Sequence, residues 1–270
     1  MLFDSHTHLN FQEFDADWQE ILAACQNNDL WLVNVGTQLA TSKKAVAIAN
    51  SYEKGVYASV GLHPIHVLGS KFHPEDFNLV DYQDLIKSSK KIVAIGETGI
   101  DFFHDDKNFA KQKEVFNQHL DLAKEFNLPV IIHARNSRDG KNNAYQEIIK
   151  ILKERNHSTS SGWQTGVIHC FGGSVSEALE FLKLGFFIGF TGVITFDKAG
   201  NLAEVINQLP LDSILIETDA PYLAPNPFRG QRNQPQYVQY VAEKIAEIKK
   251  IEYNQVCAAT AENAKKLFRV

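Results

Sequence analysis

A chain of 270 residues, 44% of them apolar, suffices for one large α/β barrel or two modest domains. The net charge of −5 excludes a protein that holds nucleic acid by bulk positive charge, though not one with a local basic patch. Three scattered cysteines, Cys25, Cys170 and Cys257, do not make a disulfide framework and read as free thiols in a reducing compartment.

In chain order, short β-rich runs fall at Leu2–His6, Trp31–Val35, Val56–Val60, Ile92–Ile95, Val130–Ile132, Val167–Ile168, Phe186–Phe190 and Ile214–Ile216. The segments between them carry apolar residues at helical spacing, as in Phe116, Leu120, Ala123 and Phe126. Strands apolar on both faces and alternating with helices predict a parallel sheet covered by helices. Eight such units give a (β/α)8 TIM barrel, spanning 1–270 as a single domain. A doubly wound open sheet is the alternative, and candidate ligands on five different strands favour closure. The stretch Gln234–Lys250 is predicted as the eighth helix, and about 254–268 as an extra C-terminal helix packed outside. The Ser/Thr/His-rich segment 156–162 is expected to be a solvated turn on the far side from the site. No basic segment with an apolar leader follows Met1, and no apolar run is long enough to span a bilayer. A cytoplasmic protein without an obligate protein partner is expected.

Six residues end these runs: His6, His8, Glu97, His133, His169 and Asp219. Strand ends on one face of a barrel form one site, and histidines with carboxylates there point to a divalent-metal centre. Two residues apart on an extended chain, His6 and His8 face the same side. Glu97 follows a glycine and can bridge two cations. Asp219 can bind a cation and hold the attacking water. Glu217 lies one alternation deeper, as expected of a carboxylate that orients a histidine. His63, after the third strand, is expected to touch substrate or to cap its loop. Arg135, Arg138 and Lys141 follow the fifth strand, and Arg229 and Arg232 the eighth, where guanidinium groups can hold phosphate. Phe102, Phe103, Phe171 and Tyr222 also follow strand ends, where rings can stack on bases. The donor set suits Zn, Mn or Ni, whereas oxygen-rich sites favour hydrated Mg.

Seven segments together resemble the TatD family of metal-dependent deoxyribonucleases, within the amidohydrolase superfamily. They are Phe3–Leu9, Gly61–Pro64, Ile95–Asp101, Pro129–Arg135, His169–Ser174, Glu217–Leu223 and Arg229–Asn233. The resemblance spans nearly the whole chain. It implies a barrel of the metal-dependent hydrolase type and a phosphodiesterase cleaving DNA, single strands or ends, with metal-activated water. It further implies two divalent cations per chain, Mg or Zn foremost. His6, His8, Glu97, His133, His169 and Asp219 would be the metal ligands, with Glu97 and Asp219 catalytic; His63, Arg135 and Arg232 are expected at the substrate. Asn136, Gln231 and Gln234 depart from the family pattern and bear on substrate preference, while the six ligand positions are intact. Other amidohydrolase chemistry, on a lactone, an amide, another phosphoester or an aminoacyl-tRNA ester, is the alternative. No lysine stands at the fourth strand end to serve as a carboxylated bridge. A metal-stabilised binding protein without turnover is disfavoured by ligands that leave room for water.

Overall fold

Strands and helices alternate along the computed structural model, which describes residues 1–157 and 165–270. The strands are β1 (Leu2–Thr7), β2 (Leu30–Val35), β3 (Val56–Val60), β4 (Ile92–Asp101), β5 (Val130–Arg135), β6 (Gly166–Ile168), β7 (Phe186–Phe190) and β8 (Ile214–Ile216). Each pairs in parallel with the next, in sequence order. Thr7 bridges Ala220, just past β8, so the last strand returns to the first and the sheet forms the expected (β/α)8 barrel. From residue 158 on, the polar segment 156–162 lies outside the described residues.

The helices are α1 (Trp18–Asn27), α2 (Leu39–Asn50), α3 (Leu79–Ser88), α4 (Phe109–Phe126), α5 (Ala144–His157), α6 (Val175–Lys183), α7 (Asn201–Gln208), α8 (Val238–Lys249) and α9 (Tyr253–Phe268). Their apolar faces cover the outside of the sheet in one large core. In α4, Val115, Phe116, His119, Leu120, Leu122 and Ala123 are buried, as the 3.6-residue period requires. Asn127 in the left-handed region stops that helix. A reciprocal pair starts α6: the Glu177 amide donates to Ser174 Oγ and the Ser174 amide to Glu177. The stretch predicted as one helix from Gln234 divides. Pro235–Tyr237 forms a 3-10 turn and α8 begins at Val238. Among the described residues no helix is long and apolar enough to cross a membrane.

A smaller core occupies the lumen. It takes Phe3, Val33, Val93, Ile131, Val167 and Leu215 from β1, β2, β4, β5, β6 and β8, with Tyr57 and Phe187 from β3 and β7 packed against it. A face shared by all eight strands is the inside of the ring. Ala261, Ala264, Leu267 and Phe268 of α9 join this cluster, and the Phe268 ring lies 6.0 Å from that of Phe3. The last helix is therefore not simply packed outside, as its position after an eighth helix suggested. Its C-terminal turns close the barrel at the N-terminal ends of the strands, because two large apolar side chains fill lumen that the strands' own residues leave open. The opposite end remains accessible.

Candidate metal centre

The six strand-end residues converge at that opposite end, as the active faces of such barrels do. The Nε2 atoms of His6 and His8 are 3.1 Å apart. His8 Nδ1 lies 2.9 Å from the carbonyl of Val35; donating there leaves its Nε2 as a lone pair facing the site. Both Nε2 atoms approach Glu97 Oε2, at 3.4 and 3.9 Å, and Asp219 Oδ1, at 3.8 and 3.3 Å. The other oxygen, Glu97 Oε1, faces His133 Nδ1 at 3.0 Å, His63 Nε2 at 3.3 Å and His169 Nε2 at 4.0 Å. His169 Nε2 is 3.5 Å from Asp219 Oδ1. One carboxylate thus divides its oxygens between two sets of imidazoles.

Glu97 does not end its strand. β4 runs on to Asp101, and the expectation that Glu97 ends it is corrected. Gly96 and Gly99 have φ of +139° and +143°, values that side chains rarely adopt. The register with β5 shifts between Ile95 and Thr98. A Cβ at Gly99 would lie 2.0 Å from the His133 carbonyl, so the glycine lets the strand kink and still pair. The distortion places Glu97 beside β1 and β5 at once.

Two further carboxylates stand behind the histidines. Glu217 Oε1 lies 2.9 Å from His169 Nδ1, as its sequence position suggests, and is tied to the Cys170 amide and Ser5 Oγ. Asp101 was not singled out by the sequence; its Oδ2 lies 3.2 Å from His133 Nε2. The signal for it was alternation, which sets Glu97 and Asp101 on the same side of one strand.

The charges are sharply sorted. Burial alone would raise the carboxyl of Glu97, but His63, His6 and His133 outweigh it and hold the group well below its usual range. Asp219 is held low in the same way, by His169, His8 and His6. Burial drives His63 down to about 4 and lowers His6. At His133 burial is outweighed by Asp101 and Glu97, and the ring is pushed up to about 9. His169 is raised by Glu217 and Asp219 against its burial. Ionised carboxylates beside neutral His6 and His63, with His133 and His169 able to give up a proton as a cation enters, make a donor set that fits a divalent cation. Hydrogen bonds within the site leave the buried His6 Nδ1 without a partner. Two groups of donors lie close enough to share a cation on either side of Glu97: His6 with His8, and His63 with His133.

The site opens into a cavity of about 780 Å³. His63 lines the cavity, and its Nδ1 accepts from the Ile65 amide, capping the loop. Arg135 also lines the cavity, and its guanidinium and that of Arg138 lie 3.8 and 4.1 Å from the centre of the Phe103 ring. Arg232 is not brought to the cavity wall. It pairs with Asp17 and donates to the Glu13 carbonyl, because β8's following loop lies against the segment after β1. Arg229 stacks on Phe196 and bonds the Ala224 carbonyl, and Lys141 pairs with Asp139. Phe102 and Phe171 are core residues, whereas Tyr222, half exposed, lines the cavity with Phe11.

A barrel that gathers histidines and carboxylates from five strands at one mouth defines the class of metal-dependent hydrolases built on this fold. The family described as TatD related DNase matches residues 3–269, and the chain belongs to the TatD family. It is 39% identical to the metal-dependent hydrolase YabD of Bacillus subtilis (strain 168), over the full length of both chains. It is 33% identical to the metal-dependent hydrolase YcfH of Escherichia coli (strain K12), covering all of this chain and 96% of that one. The crystal structure of YjjV, a TatD homologue from Escherichia coli K12, superposes with a TM-score of 0.86 at 31% identity, covering 100% of this chain and 98% of that one.

Proposed function

We propose that the protein is a divalent-metal-dependent phosphodiester hydrolase of the deoxyribonuclease type, acting on DNA in the cytoplasm. The observation that carries this reading is the division of Glu97, one oxygen toward His6 and His8, the other toward His133, His169 and His63. A carboxylate so placed serves two cations, the arrangement used in phosphoryl transfer from water. His6, His8, Glu97 and Asp219 would hold one, and Glu97, His133 and His169 the other. When bound, the cations supply Lewis-acid charge at the phosphoryl oxygens and lower the pKa of water.

The protein's own groups do the rest. Asp219, ionised and open to the cavity, orients the attacking water and takes its proton on Oδ1. His63 and Arg135 face the entering phosphate from the β3 and β5 sides of the mouth, with Arg138 beside Arg135 on Phe103. Arg232 pairs with Asp17 away from the residues that line the cavity. A glutamate where a carboxylated lysine would bridge favours this reading over lactone or amide hydrolysis.

The test is purified protein reconstituted with Mg, Mn or Zn and assayed on end-labelled single- and double-stranded DNA, with a lactone and an aminoacyl ester in parallel. Cleavage of DNA is expected, reduced by at least about 100-fold in Asp219→Asn. Activity on the lactone or aminoacyl ester, with no DNA cleavage under any metal, overturns the proposal.

A further inference from the structure

The two histidines on the β5–β6 side of the site each have a carboxylate behind the ring, at opposite nitrogens, and only the one behind His133 is hydrogen-bonded to it. His169 has Glu217 behind its Nδ1. His133 has Asp101 behind its Nε2, at 3.2 Å, while its Nδ1 faces Glu97 at 3.0 Å. Asp101 is fully buried and closely held. Its Oδ1 accepts from the His104 amide at 2.8 Å, and its Oδ2 lies 2.8 Å from His104 Nδ1. Its backbone is clamped by Gln112 of α4, which accepts from the Asp101 amide at 2.8 Å and donates to its carbonyl at 3.1 Å. A carboxylate fixed by α4 and by the following turn is a rigid backstop for the ring on the neighbouring strand.

An imidazole that ligates a cation through one nitrogen must carry its hydrogen on the other, and a partner for that hydrogen fixes both tautomer and ring orientation. Asp101 can only accept, and it sits at Nε2. With a cation bound, the one hydrogen left on the ring belongs there, which frees the Nδ1 lone pair for the cation on the Glu97 side. Glu97 sits at Nδ1 and would compete for the same hydrogen were Asp101 absent.

We propose that Asp101 is the positioning residue for His133, committing it to ligate a cation through Nδ1 and thereby setting the affinity of the His133–His169 half of the centre. This rests on the metal-centre part of the proposed function but not on DNA as substrate. The experiment therefore reads metal binding and ring chemistry, which a failed nuclease assay leaves untouched.

Apoprotein is titrated with Zn against a chromophoric chelator, for the wild type, Asp101→Asn, Glu217→Gln and His104→Gln. Asp101→Asn is expected to weaken one of two binding steps by about 10- to 100-fold and leave the other within about threefold. Glu217→Gln should weaken the same step, and His104→Gln, which removes one contact holding Asp101, should weaken it by less than Asp101→Asn does. Nitrogen-15 spectra of the Zn-loaded wild type, with His133 assigned through His133→Gln, should show ligation at Nδ1 and a retained hydrogen on Nε2. That spectrum needs no foldable Asp101 variant. Ligation at Nε2, unaltered Zn affinity in Asp101→Asn, or equal weakening of both steps with a lowered melting temperature overturns the proposal.

Discussion

His119 shows at the scale of one residue how a histidine outside the metal centre serves it. It is wholly buried in α4; its Nδ1 donates to the Val115 carbonyl at 2.8 Å, and its Nε2 accepts from the Leu62 amide at 2.9 Å. Those two bonds require the neutral ring and tie down the Gly61–His63 segment that delivers His63. Burial pushes the ring down to about 4. In the unfolded chain it titrates near its ordinary value, so between these values the unfolded state binds more protons. The stabilising contribution is complete above about pH 6.5 and is lost as pH falls toward 4, amounting to about 2 kcal/mol by pH 5. Urea unfolding of wild type and His119→Asn at pH 7.5 and 5 measures this. The variant is the less stable at pH 7.5, and the gap should narrow by about that amount at pH 5. A gap that does not change with pH rules the account out.

The elements at the two ends of the barrel carry different burdens. At the closed end, Phe268 is 3% exposed against Phe3. Phe268→Ala should cost on the order of 3–5 kcal/mol in urea unfolding, with Zn affinity kept, since the metal centre is at the other mouth. Loss of Zn binding at a temperature where the variant is still folded would show that the two ends are coupled. On β4 the reverse holds. Gly99→Ala must push against the His133 carbonyl, so its main effect should be weaker Zn binding, with a modest loss of stability. Normal Zn affinity in Gly99→Ala would mean that the kink is not needed to place Glu97 against His133. The eight strands were readable because each is a short apolar run between helical periods. So was the meeting of the six strand-end residues at one mouth, because each closes or follows such a run. The course of β4 beyond Glu97 was not, since the apolar run ends at Ile95, while pairing to β5 carries the strand on through Gly99 to Asp101. Nor was the lumen contact of α9, because an amphipathic helix looks alike whether its apolar side meets the outside of a sheet or the open end of a ring. Arg232 was misplaced for a related reason: a loop position gives a charge's address on the face, and only the fold shows that Asp17 reaches it first.

For the whole molecule the governing fact is that a chain of net charge −5 keeps its site lined with carboxylates, so cations, and on the proposed function DNA, must be held locally. Cations that bind the folded chain alone stabilise it by mass action, about 2.7 kcal/mol at a concentration 100 times the dissociation constant. The melting temperature should therefore rise with added Zn and fall with chelator; no change would mean that the donors hold no cation tightly. On the proposed function DNA would meet two guanidinium groups at the mouth, Arg135 and Arg138, which rest on Phe103. Arg229 stacks on Phe196, and Arg232 and Lys141 are paired with carboxylates. Two phosphate contacts give a logarithmic salt slope of about −1.4 on single strands and −1.8 on duplex. Raising salt from about 50 to 200 mM should thus raise KM for DNA by about 10-fold, well short of the dependence of proteins with broad basic surfaces. Arg138→Gln should reduce the slope by about one contact and leave kcat unchanged, because this side chain lies outside the cavity wall. A slope near zero in the wild type would instead fit a small, weakly charged substrate that needs neither arginine.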